Sequence, residues 1–101
     1  MATPKTYEDF EQTLTGSTPP MDWSEALKAM WFAANDNWEA SHDIAQEMFN
    51  EMGSWIHAYL HRVEGDEFNA GYWYRKAGRS FPKISLGQEQ KEITEYLLKT
   101  N

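Results

Sequence analysis

The stretch that decides the fold is SWIHAYLHRVEGDEFNAGYWYRKAGR, residues 54–79. Its first half places Ile56 and Leu60 one helical turn apart, which predicts a helix that ends at Gly65. Asp66 then follows as a typical capping residue, because its carboxylate can accept hydrogen bonds from the free amides of a first turn. The stretch therefore predicts two helices joined by a tight turn.

Residues 22–52 carry an echo of this arrangement at a spacing of about 30 positions. Asn35-Asp36 aligns with Gly65-Asp66, and apolar residues align on either side of both pairs. Gly53 is predicted to end the first helical pair, and Ser54 to cap the second. A single helical hairpin cannot bury its own apolar face, so we expect the two hairpins to stack.

The second helix of residues 54–79 is apolar around most of its circumference. Its large side chains are Phe68, Tyr72, Trp73 and Tyr74. A helix of this kind is normally packed on several sides. We therefore predict that it occupies the centre of the fold.

We predict a single all-α domain over residues 1–101, built from five to six short helices. Two stacked helix–turn–helix hairpins form its centre, and one further helix lies at each end. A capping box at Ser85 and Gln88 begins the last helix. The predicted parts are residues 1–20 (a short helix and a proline linker), 22–52 (the first hairpin), 54–79 (the second hairpin) and 80–101 (a loop and the C-terminal helix).

Composition excludes several classes of protein. The chain has no cysteine, which removes disulfides and thiolate metal sites and suits a reducing compartment. The start MATPKTYEDF lacks an apolar leader, and no run approaches the roughly 20 apolar residues of a membrane span. The net charge of −7 opposes binding to a phosphate backbone. We expect a cytoplasmic protein that binds neither membranes nor nucleic acid.

Charge is distributed unevenly along the chain. Residues 1–53 hold ten acidic and two basic side chains, a net −8, whereas residues 54–101 hold seven basic and six acidic ones, a net +1. The halves could attract each other within one chain or across two chains. Surface charge of this kind steers association more than it stabilises a fold.

Two short stretches carry a resemblance to known repeat families. NDNWEA (residues 35–40) and GDEFNAGYWYRKAG (residues 65–78) resemble the turn and second helix of tetratricopeptide and Sel1-like repeats. The resemblance spans residues 24–79 and implies a helical-repeat fold that binds partners. Residues 55–79 also resemble a segment of small bacterial proteins to which no activity, substrate or cofactor is assigned.

The most specific polar pattern is His57, His61 and Glu64, which share one side of the predicted helix. Two imidazoles one turn apart can share a divalent ion, and a carboxylate one turn further on can complete three ligands. Glu39 and His42 form a Glu-x-x-His pair that could join them, in a set suited to zinc, iron or manganese. The alternative is structural. His57 and His61 would then hydrogen-bond between stacked helices, and His42 would be a satisfied core residue.

A basic pattern predicts a binding surface near the end of the second hairpin. Arg75 and Arg79 lie one turn apart and could hold a carboxylate or phosphate, although cations in a last turn also offset the helix dipole. Arg62, Asn69 and Tyr72 complete the candidate binding surface. Aromatic residues make up 15% of the chain, so some rings should reach the surface and form contacts with a partner.

The function predicted from these features is a protein–protein interaction or self-associating module that uses an aromatic and basic surface. Its partner would be another protein or a second copy. The alternative is a divalent-metal or small-anion binding protein, or an enzyme, that uses the histidine and arginine patterns. No serine lies in a Gly-x-Ser-x-Gly turn and no glycine-rich phosphate loop exists, so no catalytic residue is assigned and catalysis is not favoured. No cofactor is expected beyond the metal of that alternative.

Overall fold

A computed structural model describes residues 3–100, and over these residues the regular secondary structure is helical, with turns and loops between the helices and no β-strand. Met1, Ala2 and Asn101 of the predicted domain lie outside the described residues. The helices are α1 (Tyr7–Gln12, continued by a 3-10 turn at Thr13–Thr15), α2 (Glu25–Ala34), α3 (Trp38–Gln46), α4 (Glu51–Val63), α5 (Glu67–Lys76) and α6 (Leu86–Thr100). The prediction of an all-α fold is confirmed. Within residues 3–100, no helix is long and apolar enough to cross a bilayer.

Side-chain caps define where the helices begin. In each of α1 to α5 the residue before the helix accepts a hydrogen bond from the backbone N–H three positions later, which stabilises a helix by about 1 kcal/mol. The capping residues are Thr6, Ser24, Asn37, Asn50 and Asp66. Ser85 and Gln88 form the predicted capping box of α6, with the Gln88 N–H donating to the Ser85 hydroxyl at 3.1 Å.

The helices form two hairpins, α2–α3 and α4–α5, which meet through α3 and α4. The central helix is α4, which contacts α2, α3, α5 and α6 and is buried continuously over residues 53–60. The prediction that the aromatic helix is central was therefore wrong. That helix is α5, which packs chiefly against α4 and buries only Ala70 and Tyr74 among its residues. Its remaining aromatic rings line the edge of the bundle because no other helix covers them.

Gly53 does not end a helix, contrary to the prediction. The first hairpin ends earlier, at Gln46, and α4 begins at Glu51, so Gly53 lies in the first turn of α4. A Cβ atom at this position would lie 2.4 Å from the carbonyl oxygen of Met48. The glycine is thus required by a close approach of the chain to itself, not by a left-handed helix end.

The two inter-helix turns share one geometry. Asp36 (φ 60°) and Gly65 (φ 82°) adopt the left-handed backbone, and each is followed by the residue that caps the next helix, Asn37 or Asp66. The turns therefore correspond at a spacing of 29 residues and not 30. A non-glycine residue can hold the left-handed position at Asp36, because a short polar side chain tolerates this conformation.

A buried carboxylate connects three helices. Glu89 of α6 accepts hydrogen bonds from the Trp55 indole at 3.2 Å, the Tyr74 hydroxyl at 2.6 Å and the Arg62 guanidinium at 2.9 Å. Burial, followed by the hydrogen bond and charge of Glu89, raises the pKa of Tyr74, which stays protonated as a donor. Arg62 also donates to the carbonyl of Ile84. This network holds the loop before α6 against the α4–α5 hairpin.

Candidate functional site

The three histidines of the chain converge at one place between α3 and α4. His42 comes from α3, and His57 and His61 come from successive turns of α4. One ring nitrogen from each lies within 4.8 Å of one from each of the others. We call His42, His57 and His61 the histidine cluster. It is formed because α3 and α4 pack side by side, which brings His42 beside two residues that helical spacing already aligns.

The rings of the histidine cluster have a defined mutual geometry. The Nε2 atoms of His42 and His57 are 2.9 Å apart, a hydrogen-bonding distance. The rings of His57 and His61 are nearly parallel, with centroids 4.9 Å apart and an interplanar angle of 15°. The ring of His42 is almost perpendicular to both, at 86° and 83°. The ring of His42 is thus set across a pair of parallel imidazoles.

Two indole rings enclose the histidine cluster. Trp73 of α5 stacks on His57 with a centroid distance of 4.0 Å, and Trp38 of α3 stacks on His42 at 4.6 Å. The Trp38 indole is itself fixed, because its N–H donates to the carbonyl of Leu60 at 2.7 Å. These contacts hold the imidazoles in place and limit the access of water to His57.

Glu64 occupies a different place from the one expected for a ligand shared by His57 and His61. Its carboxylate lies 2.8 Å from Nδ1 of His61, and the carboxylate of Asp66 is 3.9 Å from the same nitrogen. The structure therefore brings His42, His57 and His61 together and places Glu64 on the outer nitrogen of His61. Glu39 is exposed and is outside this group.

The surroundings keep the inner histidines neutral. Burial, with smaller effects from His42 and His61, lowers the pKa of His57 to about 4. Burial also lowers the pKa of His42, helped by the nearby His61. His57 is only 6% exposed, and within the described residues its Nδ1 atom has no hydrogen-bond partner.

A second feature is an aromatic surface on the outer side of α5. Phe68 is 84% exposed, Tyr72 one turn later is 45% exposed, and Lys76 continues the same row. The Lys76 ammonium lies 5.7 Å from the centroid of the Tyr72 ring and 5.2 Å from that of Trp73, within the range of cation–π attraction. We call Phe68, Tyr72, Trp73 and Lys76 the α5 face.

The α5 face continues into a pocket of about 420 Å³. Trp73 and Lys76 form one wall of the pocket, and Met48 and Phe49 form another. Phe49 is 92% exposed, because α3 ends before it and α4 begins after it. The pocket wall also includes His57, so the α5 face and the histidine cluster are neighbours.

The other predicted binding residues are dispersed. Arg75 is exposed on α5, whereas Arg79 lies across the indole of Trp55, 3.3 Å from the ring centroid. Arg62 points inward to Glu89, so it belongs to the core network and not to the surface. The side-chain amide of Asn69 donates a hydrogen bond to the carboxylate of Asp66 at 2.6 Å, within the first turn of α5. Of the predicted surface, Tyr72 and Arg75 are free to contact a partner.

Comparison with protein-family models, curated proteins and solved structures finds no match to this chain. The resemblance to tetratricopeptide and Sel1-like repeats therefore stays a prediction. Function is inferred from two features of the molecule itself, the α5 face and the histidine cluster.

Proposed function

We propose that this protein is a small helical interaction module that associates with a second copy of itself through the α5 face and the adjoining pocket. The observation that carries the proposal is the exposure of Phe68 on a helix whose next turn presents Tyr72. Large apolar side chains grouped on a surface and rimmed by charge are typical of a contact surface. Burial of the Phe68 side chain would contribute roughly 2–3 kcal/mol to association.

The shape of the surface supports a second copy as the occupant. The α5 face projects a phenyl ring, Phe68, and the adjoining pocket is lined by Met48 and Phe49, side chains that can repack around an apolar group. In a two-fold symmetric pair, Phe68 of each copy would enter the pocket of the other. Such an interface is self-complementary, as a closed dimer requires.

Charge supports the same occupant. The α5 face includes the exposed cation Lys76, and the exposed Arg75 precedes it on the same helix. The exposed carboxylates of Asp43, in α3, and Glu47, just after α3, lie in the acidic half of the chain. A second copy would present its acidic half to these cations. The unequal charge of −8 and +1 on the two halves then favours encounter between copies despite the net charge of −7.

The oligomeric state in solution tests this proposal. Light scattering coupled to size exclusion should give a dimer mass for the wild type at low ionic strength, with dissociation increasing as salt screens the charges. Phe68→Ser should shift the equilibrium to monomer by removing the projecting ring. Met21→Ser is the matched control, because Met21 is 90% exposed but lies before α2, away from the α5 face. It should leave the dimer intact.

A wild-type protein that stays monomeric at high concentration and low salt would refute self-association. The proposal also fails if Phe68→Ser dimerises as strongly as Met21→Ser, since the interface would then lie elsewhere.

A further inference from the structure

We propose that His42, His57 and His61 bind one divalent transition-metal ion through their Nε2 atoms, and that Glu64 positions His61 for this role. The cluster is the place where every histidine of the chain meets, although His42 and His57 are 15 residues apart on different helices. This site goes beyond self-association and does not depend on it.

The distances suit a metal after small side-chain movements. Metal–nitrogen bonds of about 2.0–2.1 Å in a tetrahedral site place ligand nitrogens roughly 3.3–3.4 Å apart. The Nε2 atoms of His42 and His57 are 2.9 Å apart and would separate slightly, while the third nitrogen, from His61, starts within 4.8 Å of both. The nitrogens would therefore have to shift relative to one another by at most about 1.5 Å, a change on the scale of small side-chain rotations.

Hydrogen bonding alone leaves the histidine cluster incompletely satisfied. The contact between the Nε2 atoms of His42 and His57 uses one nitrogen of each ring. The buried Nδ1 of His57 has no partner within the described residues. The contact therefore engages only the Nε2 side of the His57 ring, and coordination through Nε2 would make Nδ1 the protonated nitrogen of this ring. Coordination would replace one neutral hydrogen bond with three metal–nitrogen bonds.

Glu64 contacts the nitrogen of His61 that would not bind the ion. It lies 2.8 Å from Nδ1 of His61, so Nδ1–H donates a hydrogen bond to the carboxylate and the unprotonated Nε2 keeps its lone pair. A carboxylate that fixes the tautomer of a ligating histidine in this way is a recurring feature of metal sites, and its loss lowers metal affinity about 10–100-fold. Glu64 is therefore assigned as a positioning residue and not as a ligand.

The donor set defines the class of ion. Three neutral imidazoles favour borderline ions such as Zn²⁺, Co²⁺, Ni²⁺ and Cu²⁺ over Mg²⁺ and Ca²⁺, which prefer oxygen ligands. The chain contains no cysteine that could compete for the ion. Three protein ligands leave one position of a tetrahedral ion for water or another small ligand.

Titration of Co²⁺ and Cu²⁺ into protein without a polyhistidine tag tests the site. Co²⁺ should give tetrahedral d–d absorption that saturates at one ion per chain and is displaced by Zn²⁺. Cu²⁺ should quench tryptophan fluorescence at the same stoichiometry, because Trp38 and Trp73 stack directly on His42 and His57. Mg²⁺ should change neither signal.

Variants identify the ligands and the positioning residue. His42→Gln and His61→Gln should each weaken Co²⁺ binding at least tenfold while circular dichroism shows an intact helical fold. Glu64→Ala should weaken binding about 10–100-fold, and Glu64→Gln, which keeps a hydrogen-bond acceptor, should recover part of that loss. Glu67→Ala is the matched control, because Glu67 is an exposed carboxylate nearby that has no place in the cluster.

Failure of the wild type to bind Co²⁺ or Zn²⁺ saturably would overturn the proposal, as would binding that survives unchanged in both histidine variants. If Glu64→Ala binds Co²⁺ as tightly as Glu67→Ala, the positioning role of Glu64 is refuted.

Discussion

The Nε2 atoms of His42 and His57 lie 2.9 Å apart, although one residue belongs to α3 and the other to α4. At this distance one nitrogen must carry a hydrogen and donate a hydrogen bond, and the other must accept that bond through its lone pair. The contact therefore requires at least one neutral imidazole. It makes the packing of α3 on α4 sensitive to protonation, because two imidazolium ions would repel each other.

The free energy of unfolding should fall as the pH drops from about 6.5 to about 4. The pKa of His57 is about 4 in the folded protein and about 6.5 when unfolded, so between these values the unfolded chain binds more protons. The loss attributable to His57 should reach at most about 3 kcal/mol and level off below pH 4. Urea unfolding in the presence of a chelator, between pH 7.5 and 4.5, measures it.

The pKa of His57 can be followed separately by its imidazole resonances in an NMR titration. Equal stability at pH 7.5 and 4.5, together with a His57 resonance that titrates near pH 6.5, would contradict the buried neutral state.

Tyr74→Phe should destabilise the fold by roughly 1.5–3 kcal/mol, the usual contribution of a hydrogen bond to a charged group. The hydroxyl of Tyr74 donates to Glu89 at 2.6 Å inside the core, and its loss leaves the carboxylate with fewer donors. Tyr72→Phe is the control, since Tyr72 is on the same helix but half-exposed. Chemical denaturation should show a change within about 0.5 kcal/mol for this variant. Similar losses for both variants would argue against a stabilising network at Glu89.

Gly53→Ala should destabilise the protein by roughly 1–3 kcal/mol, because its methyl group would meet the Met48 carbonyl oxygen at 2.4 Å. Gly87→Ala, in the first turn of α6, has no atom within 4 Å of the added methyl group and should raise stability by roughly 0.5 kcal/mol. Thermal melting of both variants compares them directly. If Gly53→Ala melts at the same temperature as the wild type, the chain does not bring the Met48 carbonyl into close contact with Gly53.

Local features of the fold could be predicted from the sequence. The predicted caps at Asp66 and Ser85 depend on hydrogen bonds from backbone N–H groups three positions later, so a short window of sequence contains both partners. The proximity of His57 and His61 could also be predicted, since residues one turn apart lie on the same side of a helix. The helical class follows from these local signals, and the packing of helical hairpins is consistent with them.

Features that depend on distant parts of the chain could not be predicted. Gly53 looked like a helix end, because its close contact with Met48 depends on the path of the whole α3–α4 segment. The partners of Glu89 are 15 to 34 residues away, and nothing in the local pattern marks this glutamate as buried. The aromatic content of α5 did not reveal that the bundle leaves one side of that helix uncovered.

The most direct test of the proposed function is a dilution series followed by NMR of the backbone amides. If the α5 face joins two copies, amide shifts on dilution should be confined to the segment around Phe49 and to residues 68–76, and Phe68→Ser should abolish them. Spectra that are independent of concentration, or shifts grouped elsewhere on the molecule, would contradict self-association through the α5 face.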